Sequence, residues 1–388
     1  MPVRVDVKPT MLTWAIDRSG LGRDSVDARH PKLEQWLTGE AQPTLKQLEA
    51  FSRTTHAPVG CLLMTEPPDE ELPVPDFRTM ADAGIGNPSP DLLETIYLCE
   101  QRQEWFQAFA RSNSEDPITF VGSATTATDV VDAAAAIRET IGFDLEARRE
   151  FTNWTLALSG LRDLAEALGV LVMVSGIVGS NTHRRLDPRE FRGFALVDRL
   201  APLVFVNGVD TKAAQIFTLA HELAHVWLGE SALSNATLVA NSSNDIERWC
   251  NNVAAELLVP LSSFRDEFRP NAPLVDELER LARFYKVSTL VILRRIADAG
   301  GMTRDEFVVA FDAELARVIQ LAKLQAEARD SSGGDFYNTQ PVRVSKRFAR
   351  AVVIDTLEGR TLYRDAFRML GFKKQATFEE LSRRPGVV

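Results

Sequence analysis

The stretch Phe217-Thr218-Leu219-Ala220-His221-Glu222-Leu223-Ala224-His225 decides how this chain is read. It spends two of the five histidines in 388 residues. The uninterrupted run around it predicts a helix from Thr211 to Leu228. Residues four apart share a helix face, so His221 and His225 can aim both imidazoles at one ion. Glu222 sits about 100° further round, where its carboxylate reaches a water held by that ion rather than the ion itself. This is the arrangement of zinc hydrolases: two nitrogen ligands, a general base, and an open position for water and substrate. A chance pentad on a surface helix fits the context poorly. Phe217, Leu219, Ala220, Leu223, Ala224, Val226, Trp227 and Leu228 make the run apolar on most sides, as in a buried helix. Two histidines and a glutamate are costly there unless something satisfies them.

A catalytic zinc needs a third protein ligand. The next helical segment, Asp245-Ile246-Glu247-Arg248-Trp249-Cys250-Asn251-Asn252-Val253-Ala254-Ala255-Glu256-Leu257-Leu258-Val259-Pro260, offers two glutamates. Nine residues at about 100° each put them on opposite faces. Glu247 shares its face with Cys250, Asn251, Ala254 and Leu258, neighbours suited to packing on the first helix, and is the expected ligand. Asn251, one turn on, is placed to orient a histidine. Glu256 is expected to face solvent or to make a structural pair. Cys250 is a candidate soft ligand, although a buried structural thiol is the commoner fate of such a cysteine.

Taken together, the two segments resemble the ImmA/IrrE family of metallo-endopeptidases. In that family a Glu-x-x-Ala/Cys-Asn pattern ending in an apolar Leu-Leu-x-Pro follows the histidine helix. The resemblance covers roughly residues 150 to 300. It implies zinc held by His221, His225 and Glu247, with Glu222 as base. It also implies intracellular proteolysis of regulatory proteins, often helix-turn-helix repressors. Zinc is the expected metal, and manganese or iron could also occupy two histidines and a carboxylate.

Composition suits such an enzyme. A 388-residue chain that is 45% hydrophobic can build two or three domains with real cores. No amino-terminal apolar segment reads as a signal, and no run is long enough to span a membrane. Cys61, Cys99 and Cys250 are too widely spaced for a disulfide framework, so a reducing cytoplasm is expected. A net charge of −10 argues against a generic nucleic-acid binder, although it can hide a local basic patch.

The first 65 residues read as a compact helical module, with helices beginning near Pro9, Asp24, Pro31 and Pro43. The segment from Pro31 to Leu48 resembles the Trp-x-x-Gly-x-x-x-Pro stretch of Xre-type helix-turn-helix domains. Gly39 would end the recognition helix at positive φ, and Pro43 would open the next helix at its first turn. Trp36 and Leu45 are expected in the core. Residues 1–63 carry eight Lys/Arg against seven acids, so DNA affinity from phosphate neutralisation is weak or dimer-dependent. Lys32 and Gln35 are the candidate base readers and Arg29 the candidate phosphate contact. A helix-turn-helix used for protein pairing is the alternative.

Four prolines between Glu66 and Asp76 predict a semi-rigid linker. Helices follow over Pro90–Arg111 and Ala127–Ile141, read as a spacer. The catalytic domain is expected from about Phe151, with a helix from Ser159 to Leu168. Strands are expected at Val170–Val174, Gly193–Asp198 and Pro202–Asn207, in a small sheet whose exposed edge can hold an extended peptide. On the polar loop Gly179–Arg185, His183 is a candidate oxyanion donor, against the reading of a solvent-exposed loop histidine. Beyond Pro260, paired helices, a long helix over Asp305–Arg329 and a flexible Ser331-Ser332-Gly333-Gly334 break are expected. The tail from Pro341 carries eleven Lys/Arg against five acids. Phe348, Tyr363, Phe367 and Phe372 are expected to form a small helical core there.

The expected architecture is mainly α with a small mixed sheet (α+β). It comprises a helix-turn-helix module (1–65), a linker and spacer (66–150), a zincin-like peptidase domain (151–300) and a basic helical extension (301–388). This layout resembles proteins of prophage and toxin–antitoxin loci. Two functions of different class follow. One is a zinc endopeptidase that cuts a repressor or partner. The other is a DNA-binding regulator or antitoxin whose peptidase domain mainly binds a partner such as a toxin.

Overall fold

The computed structural model describes residues 3–70, 72–75, 88–234, 244–328 and 336–384. The Ser331–Gly334 break, Glu71 and Asp76 of the proline-rich strip, and the last four residues lie outside them. The chain divides into two compact units, Met1–Pro73 with Gly84–Tyr97, and Val74–Ala83 with Leu98–Val388.

The first unit holds five short helices: α1 (Pro9–Ser19), α2 (Arg23–Arg29), α3 (Leu33–Leu37), α4 (Leu45–Thr55) and α5 (Val59–Leu62). Helix α1 packs on α3, α4 and α5, over a core of Met11, Leu12, Val26, Leu33, Trp36, Leu48 and Phe51. Trp36 is core as expected, but Leu45 is 45% exposed. The cause is the helix start. Thr44 and Gln47 close a capping box, which makes Leu45 the first helical residue on the solvent side. Leu48, Phe51 and Thr55 turn inward instead. Pro43 therefore stands before the cap rather than within the first turn. Gly39 has the expected positive φ of 77°, two residues past the end of α3.

Helix α6 (Pro90–Ser112) carries its residues from Leu98 onward into the second unit, followed by α7 (Val130–Ile141), α8 (Leu145–Arg149) and α9 (Trp154–Ala167). Asn153 caps α9 through Leu156 N, so this helix starts five residues before the expected Ser159. The sheet comprises β1 (Leu171–Ser175), β2 (Gly193–Leu196), β3 (Leu203–Asn207) and β4 (Ala232–Ser234), in the order β1-β3-β2-β4. β1 and β3 are parallel, and β2 runs antiparallel to both β3 and β4. The sheet is thus mixed, as expected, with β4 as an unforeseen edge.

Every residue of these strands is buried, which explains their continuous apolar runs. Val172, Val174, Val204, Val206 and Ala195 join the main core with α9 and α10 (Lys212–Leu228). Met173 points the other way, 3.9 Å from Cys99 Sγ of α6. Gln103 of α6 donates to the carbonyls of Leu196 and Ala201, each at 2.8 Å.

Helices α11 (Asp245–Leu258), α12 (Leu261–Glu267), α13 (Leu274–Tyr285) and α14 (Thr289–Asp298) follow. α13 and α14 are the expected pair. Lys286, at φ 57°, closes α13, and Ser288 caps α14. The chain ends with α15 (Arg304–Ala328), α16 (Phe336–Val344), α17 (Lys346–Leu357), α18 (Tyr363–Leu370) and α19 (Gln375–Ser382). α16 and α17 pack on β1. The tail aromatics depart from expectation. Phe348 packs edge-on against Trp105 of α6, while Tyr363, Phe367 and Phe372 gather round Phe378. Phe348 is fully buried against α6 instead.

One glycine sets the distance between helix α10 and the sheet. A Cβ on Gly193 would lie 2.6 Å from Thr218 Cγ2, 2.8 Å from the Phe205 carbonyl and 3.0 Å from Glu222 Oε1. Gly193→Ala is expected to cost about 1–3 kcal/mol as β2 and α10 are forced apart. Urea denaturation measures this; an unchanged midpoint would contradict the close-packing account.

Candidate metal centre

Helix α10 starts where Thr211 Oγ1 accepts from Ala214 N. It stops at Gly229, whose φ of 79° and amide bonds to His225 O and Val226 O form a left-handed cap. Between these caps, every residue from Gln215 to Trp227 is buried. The helix is thus wrapped on all sides, and its polar side chains must find partners inside the protein.

The partner is α11, which packs along α10. Asn244 Oδ1 caps α11 through Ile246 N at 2.9 Å. At its other end the unsatisfied helix carbonyls meet three arginines. Arg138 donates to Glu256 O, Arg148 to Leu258 O and Arg295 to Val259 O. Burial pushes the Arg148 guanidinium down to about 9, yet it still carries its charge near neutral pH. Cations at a helix C-terminus also favour its dipole. The helix that carries Glu247 is held at both ends.

His221, His225 and Glu247 converge inside this pair. Their donor atoms all lie within 4.8 Å of one another and could hold one metal ion. His221 Nε2 is 3.1 Å from His225 Nε2. Glu247 Oε1 is 3.0 Å from His225 Nε2, and Oε2 is 3.4 Å from His221 Nε2. Two donors bound tetrahedrally to zinc at about 2.0–2.1 Å stand roughly 3.3 Å apart. The triangle therefore has the edge lengths of one face of such a site.

The charges are tightly coupled. Burial raises Glu247, but His221 and His225 outweigh it and bring its carboxyl down to about 2. Burial likewise opposes a charge on His221, yet Glu247, then Glu222 and Asn251, carry its pKa above the usual range. Burial lowers His225 despite its hydrogen bond to Glu247. Asn251 thus lies beside His221, as its position one turn past Glu247 suggested. Asn251 Oδ1 and His221 Nδ1 are both buried without a well-formed hydrogen bond among the described residues.

Glu222 completes the group. Burial pushes its carboxyl up to about 8, against the pull of His221 and of a hydrogen bond from Ser234. Ser234 Oγ donates to Oε1, while Oε2 is buried with no partner among the described residues. A cation in the triangle would favour the ionised carboxylate. The site then holds an unengaged oxygen beside three convergent donors.

The other sequence candidates contribute no donor to the triangle. Glu256 is 6% exposed and pairs with Arg295, also accepting from Leu261 N at the start of α12. It is the structural pair of the two readings, not a solvent-facing residue. Cys250 is buried, its thiol pushed well up by burial and by Glu247 and Glu222. It contributes no donor to the triangle. His183 is exposed, and its backbone amide bonds Asn181 Oδ1. Arg29, Lys32 and Gln35 are exposed on the first unit.

The residues missed were Ser234 and Gly193. A three-residue strand is too short to show an alternating pattern, and a glycine at the start of an expected strand does not reveal which helix packs against it. The sheet edge expected to be open also differs. Leu233 N of β4 donates to Pro75 O at 2.9 Å, and Val74 is buried, so the chain's own proline-rich strip lies on that edge.

Comparison with known proteins agrees with this geometry. Residues 165–297, about a third of the chain, match the family model described as the IrrE N-terminal-like domain, a peptidase family. The match supports the ImmA/IrrE resemblance and a metallopeptidase-type function, and it encloses all four cluster residues. Residues 344–384 match a domain of unknown function, DUF8813. No curated protein matches the chain. Among the described residues, no helix is long and apolar enough to cross a membrane.

His221→Ala or Glu247→Ala is expected to abolish zinc binding in a chelator competition. Glu256→Gln should keep zinc but lose about 3 kcal/mol of stability, because a buried Arg295 loses its charged partner. Zinc loss in Glu256→Gln with full binding in Glu247→Ala would reverse the assignment. The pH dependence has a definite sign. His221 must be neutral to bind, and its metal-free pKa is raised, so zinc affinity should fall as pH drops through that range. An affinity independent of pH from neutral to mildly acidic would count against His221 as a ligand.

Proposed function

We propose that this chain is a metal-dependent endopeptidase acting in the cytoplasm on a regulatory protein, a repressor or a partner such as a toxin. The observation that carries this reading is the convergence of His221, His225 and Glu247 beside a glutamate with an unpartnered, buried oxygen. A purely structural ion has no use for such a glutamate. His221, His225 and Glu247 would hold the ion, and Asn251 would steady the His221 ring. Zinc suits the donor set, and manganese or iron is compatible. When bound, the ion supplies polarisation of the scissile carbonyl and an acidified water.

Glu222 would accept the proton of the attacking water at Oε2 and return it to the leaving amine. Burial of the whole group excludes bulk water and strengthens each charge interaction. The substrate backbone would run along the outer edge of β4, where the Pro75 carbonyl now accepts from Leu233 N. Binding then displaces the proline-rich strip from that edge.

A second activity is favoured by one surface of the first unit. A groove of about 530 Å³ is lined by Arg4, Lys32, Lys46 and Arg53, together with Gln35 and Gln47 and no described acid. Local charge thus departs from the near-neutral balance of the module. On the helix-turn-helix resemblance, Lys32 and Gln35 would read bases while Arg29 and the other cations contact phosphates. The module would deliver the peptidase to a DNA-bound repressor. On the regulator or antitoxin reading, it would act alone.

Glu222→Gln is expected to retain zinc and abolish cleavage when co-expressed with the protein of the adjoining gene. Full cleavage by this variant would remove Glu222 from the reaction. An uncut neighbour that stays bound to wild type and variant alike would favour the regulator reading. Lys46→Ala with Arg53→Ala should weaken DNA binding across sequences and reduce the salt slope by about 1–2. An unchanged slope in a fluorescence anisotropy titration would exclude the groove.

A further inference from the structure

We infer that Ser234 is a positioning residue for the general base, assigning the two oxygens of Glu222 to different tasks. The inference rests on the reading of Glu222 as that base. The terminal torsion of a glutamate is broad and roughly two-fold, so its oxygens ordinarily exchange places. Here they are inequivalent. Oε1 accepts from the Ser234 hydroxyl, and Oε2 is left buried without a partner among the described residues.

The serine is itself held in place. It is fully buried, paired opposite Gly193 in the β2–β4 ladder, with its carbonyl facing Arg192 N. The absent side chain at Gly193 makes room for the contact, since a Cβ there would lie 3.0 Å from Oε1. Glu222 is thus gripped from the sheet while its backbone belongs to the histidine helix. A hydroxyl that donates to Oε1 leaves Oε2 as the acceptor for the proton of the attacking water. The same oxygen then holds that proton until the leaving amine takes it, so no rotation of the carboxyl group is needed between the two transfers.

Ser234 also adjoins Leu233, whose amide marks the outer edge of β4. The strand that aligns the base is therefore the one on which the substrate backbone is proposed to lie. Among the described residues the Ser234 hydroxyl donates to Glu222 Oε1, so in this proposal it acts through that carboxylate.

The test compares full-length, zinc-loaded wild type with Ser234→Ala and Ser234→Thr. A quenched-fluorescent peptide selected from a pooled library serves as substrate, and crystal structures of the zinc-loaded proteins give an independent readout. Ser234→Ala should lower kcat by about 10- to 100-fold, the usual effect of removing a hydrogen-bonded support, with KM and zinc affinity within about twofold. Its Glu222 carboxylate should turn away from the wild-type orientation or occupy several. Ser234→Thr, which keeps the hydroxyl, should restore both the rate and the single orientation. A Ser234→Ala enzyme with wild-type kcat and an unmoved Glu222 would overturn the inference. So would a loss of zinc matching the loss of rate, which would mark Ser234 as a structural support of the metal cluster. If wild type cleaves no peptide, the peptidase reading fails by itself. The orientation of Glu222 in the two crystal structures still decides whether Ser234 positions it.

Discussion

The structure is organised round one constraint, the burial of His221, Glu222, His225 and Glu247 between two helices with almost no access to solvent. Each of these groups is expensive to take out of water. The protein answers by making His221, His225 and Glu247 partners of one another at 3.0 to 3.4 Å and by giving Glu222 the Ser234 hydroxyl. Among the described residues, Glu222 Oε2, His221 Nδ1 and Asn251 Oδ1 remain buried without a well-formed hydrogen bond. A cation held by the two Nε2 atoms and Glu247 would turn the mutual crowding of those donors into coordination. The remaining packing follows from keeping α10 and α11 in register. Caps stop α10 at Thr211 and Gly229, and three arginines clamp the end of α11.

The sheet belongs to the same device. Gly193 lets β2 approach α10 closely enough for the fourth strand to reach Glu222 through Ser234. Tail helices α16 and α17 lie against β1, so the segment beyond the family match takes part in the fold of the unit that carries the site. The strip at Val74–Pro75 does so as well, since it satisfies an edge amide that would otherwise be open.

Much of the site was legible because helix geometry converts spacing into direction. His221 and His225 are four apart, and Glu247 and Glu256 lie on opposite faces. Those angles separated the two glutamates, and the small and apolar neighbours on its face selected Glu247 for the cluster. The main strands were legible as short apolar runs, and α10 was foreseen to within one residue. What stayed hidden depends on contacts distant in sequence. Ser234 sits in a three-residue strand recognisable only by its pairing with β2. Leu45 looked like core until the Thr44 cap fixed where its helix begins. Phe378 replaces Phe348 in the tail cluster because α17 turns toward Trp105, a partner about 240 residues away. The three arginines that cap α11 likewise come from α7, α8 and α14, and no local pattern announces them.

The most direct test of the account is an anomalous-scattering map of crystals grown with zinc, recorded at the zinc absorption edge. The account predicts a single strong peak about 2.0–2.2 Å from His221, His225 and Glu247, with its fourth position open toward Glu222. A peak closed by a fourth protein ligand such as Cys250, or no peak at the triangle, would contradict it.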